Sequence, residues 1–151
     1  MNTSCDPNAK RKAWLGLLAK SPAADIARLW ADLKIDPDHT VLRAPEIGGA
    51  MVRGRAGAVG AAFNLGEMTV TRASVKLADG TVGHGYVQGR DKGHALHAAL
   101  IDALMQTDAA DLAEAAILAP LRDAMAAHKT ERAAKAAATK VDFFTMVRGE
   151  D

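Results

Sequence analysis

The stretch from Gly66 to Arg90, GEMTVTRASVKLADGTVGHGYVQGR, constrains the fold most, because it has the pattern of a complete β-hairpin. Asp79-Gly80 lies between two β-rich runs, and Asp-Gly favours a two-residue type I′ turn, whose positive φ angles match the twist of the strands. That turn fixes the pairing of the strands, and one face of the pleat becomes the predicted core face. The pairs predicted on this face are Leu77 with Val82, Val75 with His84, Ala73 with Tyr86 and Thr71 with Gln88.

The other face of the predicted hairpin carries two glycines, Gly83 opposite Lys76 and Gly85 opposite Ser74. A glycine within a strand leaves room for a second backbone to approach closely. We therefore expect a partner chain or a helix to pack there, and we assign Gly83 and Gly85 to a partner-binding surface.

Length and composition indicate one folded domain over residues 1–151, since the chain is long enough for a core and 49% of it is hydrophobic. A net charge of +1 gives no electrostatic reason for nucleic acid or a membrane surface to be the main ligand. A single cysteine, Cys5, excludes an intrachain disulfide, and the first residues lack the apolar segment of a signal peptide. We expect a cytoplasmic protein.

Helices are predicted on both sides of the hairpin. Start signals predict helices from Pro7 to Lys20 and from Ser21-Pro22 to Asp36, and Asp91 is placed to cap a helix from Lys92 to about Gln106. Further helices are expected over 107–118 and 121–139, with Pro120 interrupting them. Between the second helix and the hairpin, the sequence predicts strands at 40–44 and 47–55 and a glycine-rich loop over 54–66. The fold class is α+β: a small antiparallel sheet with a central hairpin, flanked by N-terminal and C-terminal helices.

An anion-binding site is one interpretation of the glycine loop, because successive backbone amides in turns form a concave donor surface. The alternative is a structural or partner-contacting loop, since the loop has neither a Walker A ending nor GxGxxG spacing. For Arg90, at the start of the next helix, the alternative is a charged helix cap. The residues that would bind an anion are Arg55, Gly57, Gly60, Arg72 and Arg90.

Metal binding and catalysis have weaker support in the sequence. His84, His94 and His97 are the only clustered histidines, and they lack the further ligands of a zinc site, so we assign no metal. No GxSxG elbow occurs and Cys5 lies in no motif, so we assign no catalytic residue.

The C-terminal segment over 141–149 is apolar where a chain end is ordinarily polar. Either it packs back on its own core or it docks on another protein, and the lightly apolar, alanine-rich helix before it favours the second. The partner-binding residues assigned here are Phe143, Phe144, Met146, Val147 and Arg148.

Three motifs resemble the PhnG family of the bacterial carbon-phosphorus lyase system: MVRGRAG at 51–57, FNLGEMTVTRASVKLADGTVGHGYVQGRDK at 63–92 and VDFFTMVRG at 141–149. The resemblance covers nearly the whole chain. It implies an accessory subunit of a hetero-oligomeric core complex with PhnI, PhnH and PhnJ. That complex would make α-D-ribose 1-methylphosphonate 5-triphosphate from ATP and methylphosphonate, with release of adenine.

The resemblance also implies how the chemistry is divided. PhnI would carry the displacement of adenine, while an iron–sulfur cluster and S-adenosylmethionine would belong to PhnJ only. No cofactor is expected on this chain, and the family supplies no catalytic residue to assign to it. The alternative is that this subunit itself binds the phosphate or triphosphate.

Overall fold

A computed structural model describes residues 7–57 and 59–141 and confirms the α+β class. Its strands form a three-stranded antiparallel sheet in the order β1-β2-β3. In chain order the elements are α1 (Pro7–Lys20), α2 (Ala23–Leu33), β1 (His39–Arg55), β2 (Ala62–Leu77), β3 (Val82–Gln88), α3 (Lys92–Leu104), α4 (Ala110–Ala113), a π-helical turn (Glu114–Leu118) and α5 (Ala119–Ala138).

The helix boundaries predicted for the first part of the chain agree with the structure. The bounds predicted for α1 are confirmed, and α2 buries Ile26 and Leu29 from its predicted apolar face. Asp91 caps α3, because its Oδ1 accepts a hydrogen bond from the backbone N–H of His94 at 2.9 Å. Pro120, in contrast, does not break the chain into two helices. A π-helical turn precedes it and α5 begins at Ala119, so the helical path continues through the proline, with a π-helical turn where its missing N–H interrupts the α-helical hydrogen bonds.

The strands are much longer than predicted. One strand, β1, covers both predicted strands, with irregular pairing between Val41 and Glu46 where Pro45 interrupts the ladder. Most of the predicted glycine loop is also strand: β1 runs to Arg55 and β2 begins at Ala62, which leaves a short connection. The loop prediction was therefore wrong for residues 62–66, because the glycines weaken a strand without excluding it.

The hairpin pairs one residue out of the predicted register. Val75 pairs with Gly83 and Ser74 with His84, and the loop has three residues. Gly80 N donates to Leu77 O at 2.9 Å and Gly80 has a φ of 94°, which is the type I turn with a left-handed third residue found in three-residue hairpins.

A shift of one residue turns every side chain of β3 to the other face. The face predicted for β2 is correct, with Thr71, Ala73, Val75 and Leu77 buried. On β3, however, the core face carries Gly83, Gly85 and Val87, while His84 and Tyr86 face solvent.

The core lies between this sheet face and the helices. α3 packs directly on β3, and a Cβ added to Gly83 or Gly85 would lie 2.0 Å from the carbonyl oxygen of Ala99 or Ala95. The close approach predicted from the glycines is therefore real, but the chain's own helix makes it, which corrects the assignment of Gly83 and Gly85 to a partner surface. α1, α2 and the π-helical turn complete the core with Leu18, Ile26, Ile117 and Leu118.

Candidate interaction surfaces

Asp102 is the one charged side chain in the described core that is fully buried, and four hydrogen bonds hold its carboxylate. The Arg11 guanidinium donates two of them, at 3.1 and 2.7 Å, and Trp14 Nε1 donates a third at 2.8 Å. The fourth comes from the backbone N–H of His84 at 2.9 Å. The carboxylate therefore joins α1, α3 and β3 at one point.

This cluster also satisfies two backbone groups at the start of the free edge of β3. Gln106 Nε2 donates to the Val82 carbonyl at 3.0 Å, beside the bond from His84 N to Asp102. An unpaired strand edge is a site at which another strand can add, and side chains of the chain itself occupy the part of this edge at Val82 and His84. The sequence analysis missed Asp102; the signal was an aspartate inside the otherwise apolar helix ALIDAL.

The outer face of the sheet is polar and exposed. On it, Arg43 and Arg72 both bond Glu46, with 2.6 Å between Arg72 Nε and Glu46 Oε1. The hydrogen bond from Arg43 contributes most, and that from Arg72 adds to it, in lowering the pKa of Glu46 below its ordinary value. Glu46 therefore stays ionised at neutral pH, and the Arg72 charge is already balanced by a carboxylate.

The residues predicted to bind an anion fall into two separate groups. Arg55, Gly57 and Gly60 lie at the far end of the β1–β2 ribbon, where Arg55 donates to the Gly60 carbonyl at 3.1 Å. Arg72 lies ten residues along β2 from Ala62, the pairing partner of Arg55, which is about 30 Å at the rise of a strand. Arg90 is exposed just beyond the end of β3, next to Gly89, whose N–H donates to Thr69 O at 2.9 Å, so along β2 it lies closer to Arg72 than to Ala62. The fold does not bring the five residues together.

The three histidines occupy three different environments. His84 is exposed and bonds Ser74 Oγ at 2.9 Å, while buried His94 bonds the Leu18 carbonyl at 2.8 Å. His97 stacks on Trp30 with ring centroids 5.7 Å apart, and burial lowers its pKa. Within residues 7–57 and 59–141, no group of three or more His, Cys, Asp or Glu side chains is arranged to hold a metal ion.

The distal half of the β1–β2 ribbon exposes several large apolar side chains. β3 ends where Val70 pairs with Gln88, and beyond that point β1 and β2 continue as two strands alone. We call residues 49–69 the ribbon arm. Every residue from Ala61 to Thr69 is exposed, and Leu65 retains 66% of its full exposure. The large apolar side chains exposed on the ribbon arm are Met51, Val59, Phe63, Leu65 and Met68.

The predicted docking segment over 141–149 lies outside the described residues except for Val141, which is exposed. Its residues Phe143, Phe144, Met146, Val147 and Arg148 therefore stay a prediction. α5, which leads to this segment, buries only Leu121, so nearly all of the helix faces solvent. No helix among the described residues is long and apolar enough to cross a membrane.

Comparison with known proteins decides the family. The family model described as phosphonate metabolism protein PhnG matches residues 9–149. The chain belongs to the PhnG family. A relative from Rhizobium meliloti (strain 1021), 43% identical over 143 residues, is the α-D-ribose 1-methylphosphonate 5-triphosphate synthase subunit PhnG. The match covers 95% of this chain and 92% of that relative.

Proposed function

We propose that this chain is an accessory subunit of α-D-ribose 1-methylphosphonate 5-triphosphate synthase, a phosphonate-metabolising enzyme of several subunits. The observation that carries the proposal is the full-length similarity to a subunit of that synthase. A name that describes a subunit implies that the enzyme needs other chains. The partners proposed for it are PhnI, PhnH and PhnJ.

The reaction proposed for the complex transfers the ribose triphosphate of ATP to methylphosphonate. A phosphonate oxygen forms the bond to the ribose C1 carbon, the bond from that carbon to adenine breaks, and adenine leaves with a proton on its nitrogen. Such a displacement needs groups that position the phosphonate, stabilise the ribose as charge develops and protonate the base. It makes the complex a transferase.

The described residues of this chain favour a supporting role in that reaction. The buried carboxylate of Asp102 is fully occupied by four donors inside the core, so it is not placed to act on a substrate. The exposed guanidinium of Arg72 is bonded to Glu46. These two polar side chains therefore stabilise the fold. The exposed apolar side chains of the β1–β2 ribbon suit contact with other subunits.

Direct binding of the triphosphate by this chain remains the second candidate, and the geometry favours it less. Its residues lie in two groups, with Arg55 about 30 Å from Arg72 along the sheet, whereas an extended triphosphate with its ribose spans much less than that. Each group alone offers one or two arginines, and one of these is ion-paired.

Co-expression tests the proposal. With the other synthase subunits carrying the affinity tag, we expect this chain to co-purify with them at a fixed ratio and to be more soluble than when it is produced alone. Removing charge in the variant Arg90→Ala should leave this assembly intact. A chain that is soluble, monomeric and never captured by the other subunits would refute the subunit role.

A further inference from the structure

The ribbon arm is an exposed two-stranded element that needs another molecule to cover it. Beyond the pair formed by Gly48 and Val70, its strands continue for about eight residues, a projection of about 25 Å. An isolated two-stranded ribbon is at best marginally stable in water, and one that exposes large apolar side chains is a liability unless something covers it. Nothing in the described chain does so, because no residue from Ala61 to Thr69 is buried.

The apolar side chains point to both faces of the ribbon arm. Met51 pairs with Glu67, so those two side chains share one face. Met68 is the neighbour of Glu67 on the same strand and so lies on the opposite face. Both methionines are exposed, Met51 by 58% and Met68 by 36%. A single flat surface could cover only one of these faces, whereas a cleft that receives the arm covers both.

The charges of the ribbon arm indicate what surrounds the cleft. Residues 49–69 contain two arginines, Arg53 and Arg55, and one acid, Glu67. Arg53 makes no ion pair with any residue in the described ranges, in contrast to Arg43 and Arg72 at the base of the ribbon, which share Glu46. Burying such a guanidinium requires a carboxylate or several carbonyl oxygens close to it.

We propose that the ribbon arm inserts into an apolar cleft on another subunit of the synthase, with acidic groups of that subunit meeting Arg53 and Arg55 near the tip. This inference rests on the proposed function, which supplies the partner. A second copy of this chain fits less well, because each arm carries two arginines and only one acid, so two arms cannot balance each other's charge. Residues 142–151 of the same chain also fit less well, since one ten-residue segment covers one face of a ribbon and not two.

The test titrates this chain against the other synthase subunits purified together. In the variant Phe63→Ser/Leu65→Ser we expect at least about thirty-fold weaker binding, as for buried interface anchors. The matched control Leu112→Ser/Met125→Ser removes equally exposed apolar side chains from α4 and α5. It should bind within about threefold of the native chain, because most exposed contacts contribute little.

A charge reversal tests the chemistry of the cleft. Arg53→Glu should weaken binding at least about tenfold, and the difference from the native chain should shrink as salt rises. Lys129→Glu, an exposed reversal on α5, is its control. Both arm variants should keep the native unfolding midpoint, since the arm contributes no side chain to the core. If the double serine variant does unfold, Met51→Ser replaces it.

Each of the other outcomes would contradict the insertion of the ribbon arm into an acidic cleft of another subunit. Native affinity in the Phe63→Ser/Leu65→Ser variant would overturn the inference while leaving the subunit role intact, and failure of the native chain itself to bind would overturn both. Unchanged binding by Arg53→Glu would overturn the acidic cleft. Self-association of the isolated chain that the arm variant abolishes would identify a second copy as the occupant. Faster hydrogen exchange of the arm after truncation at residue 141 would identify the chain's own C-terminal segment.

Discussion

Replacing Asp102 with alanine should destabilise the protein more than any exposed substitution. The change removes the acceptor of four hydrogen bonds. Trp14 Nε1 and the backbone N–H of His84 lose their partner inside the protein, at about 1–3 kcal/mol for each unsatisfied donor. Arg11 is 31% exposed, so water can solvate part of its charge. Losing the Arg11–Asp102 ion pair therefore costs less free energy of unfolding than losing a fully buried ion pair.

The summed cost is about 3–5 kcal/mol in the free energy of unfolding, which lowers the melting temperature by about 10 °C for a domain of this size. Urea denaturation measures the first and calorimetry the second. Hydrogen exchange adds a local readout, because the His84 amide should exchange faster once its acceptor is gone. Asp102→Asn keeps one acceptor oxygen and should lower the free energy of unfolding by less than Asp102→Ala does.

The control is Glu131→Ala, which removes the exposed partner of Lys135 and should change the free energy of unfolding by less than about 1 kcal/mol. If Asp102→Ala also cost less than about 1 kcal/mol, the claim that this carboxylate ties α1, α3 and β3 together would be wrong.

Three further predictions concern the glycine contact, the helix cap and a histidine. Gly85→Ala should cost at least about 2 kcal/mol in urea denaturation, because the new methyl group meets a helix backbone, whereas Gly48→Ala has open space and should be tolerated. Asp91→Ala should cost about 1 kcal/mol through loss of the cap, and an equally stable variant would exclude that role. His97 has a lowered pKa in the folded state, so the unfolded state binds its proton more readily, and stability should fall as pH drops from about 7 to 5. His97→Phe keeps a ring against Trp30 and should flatten that part of the pH profile; an unchanged profile would assign the dependence to other groups.

The helix boundaries could be predicted because their signals are local. Pro7 opens α1 and Asp91 caps α3, and each acts within a few residues of itself. Pro120 shows the limit of such signals. Proline lacks a backbone N–H, but the chain accommodates this with a π-helical turn and the helix continues. The π-helical turn buries Ile117 and Leu118 in the core, and such packing is not visible in the local sequence.

The hairpin register could not be decided from the turn residues. Asp79-Gly80 fits a two-residue turn and also the last two positions of a three-residue loop, and the two differ by one residue in pairing. Packing selects between them, because only the observed register places Gly83 and Gly85 beneath α3. The glycines did predict a close approach, and they were assigned to the wrong face.

The interaction surfaces were the least predictable part. Glycines in the 54–66 stretch favoured a loop, and only the ladder between β1 and β2 shows that most of it is strand. Asp102 was missed because its partners come from α1 and β3, far away in sequence. The aspartate inside an otherwise apolar helix was a local signal, but the sequence does not show which partners it binds.

Adenine released from ATP and methylphosphonate measures whether this chain supports the reaction of the synthase without carrying it out. The account predicts no release by this chain alone, little release by the other synthase subunits without it, and full activity when the chain is added back. Release by the isolated chain would contradict the account, and so would full activity of the other subunits in its absence.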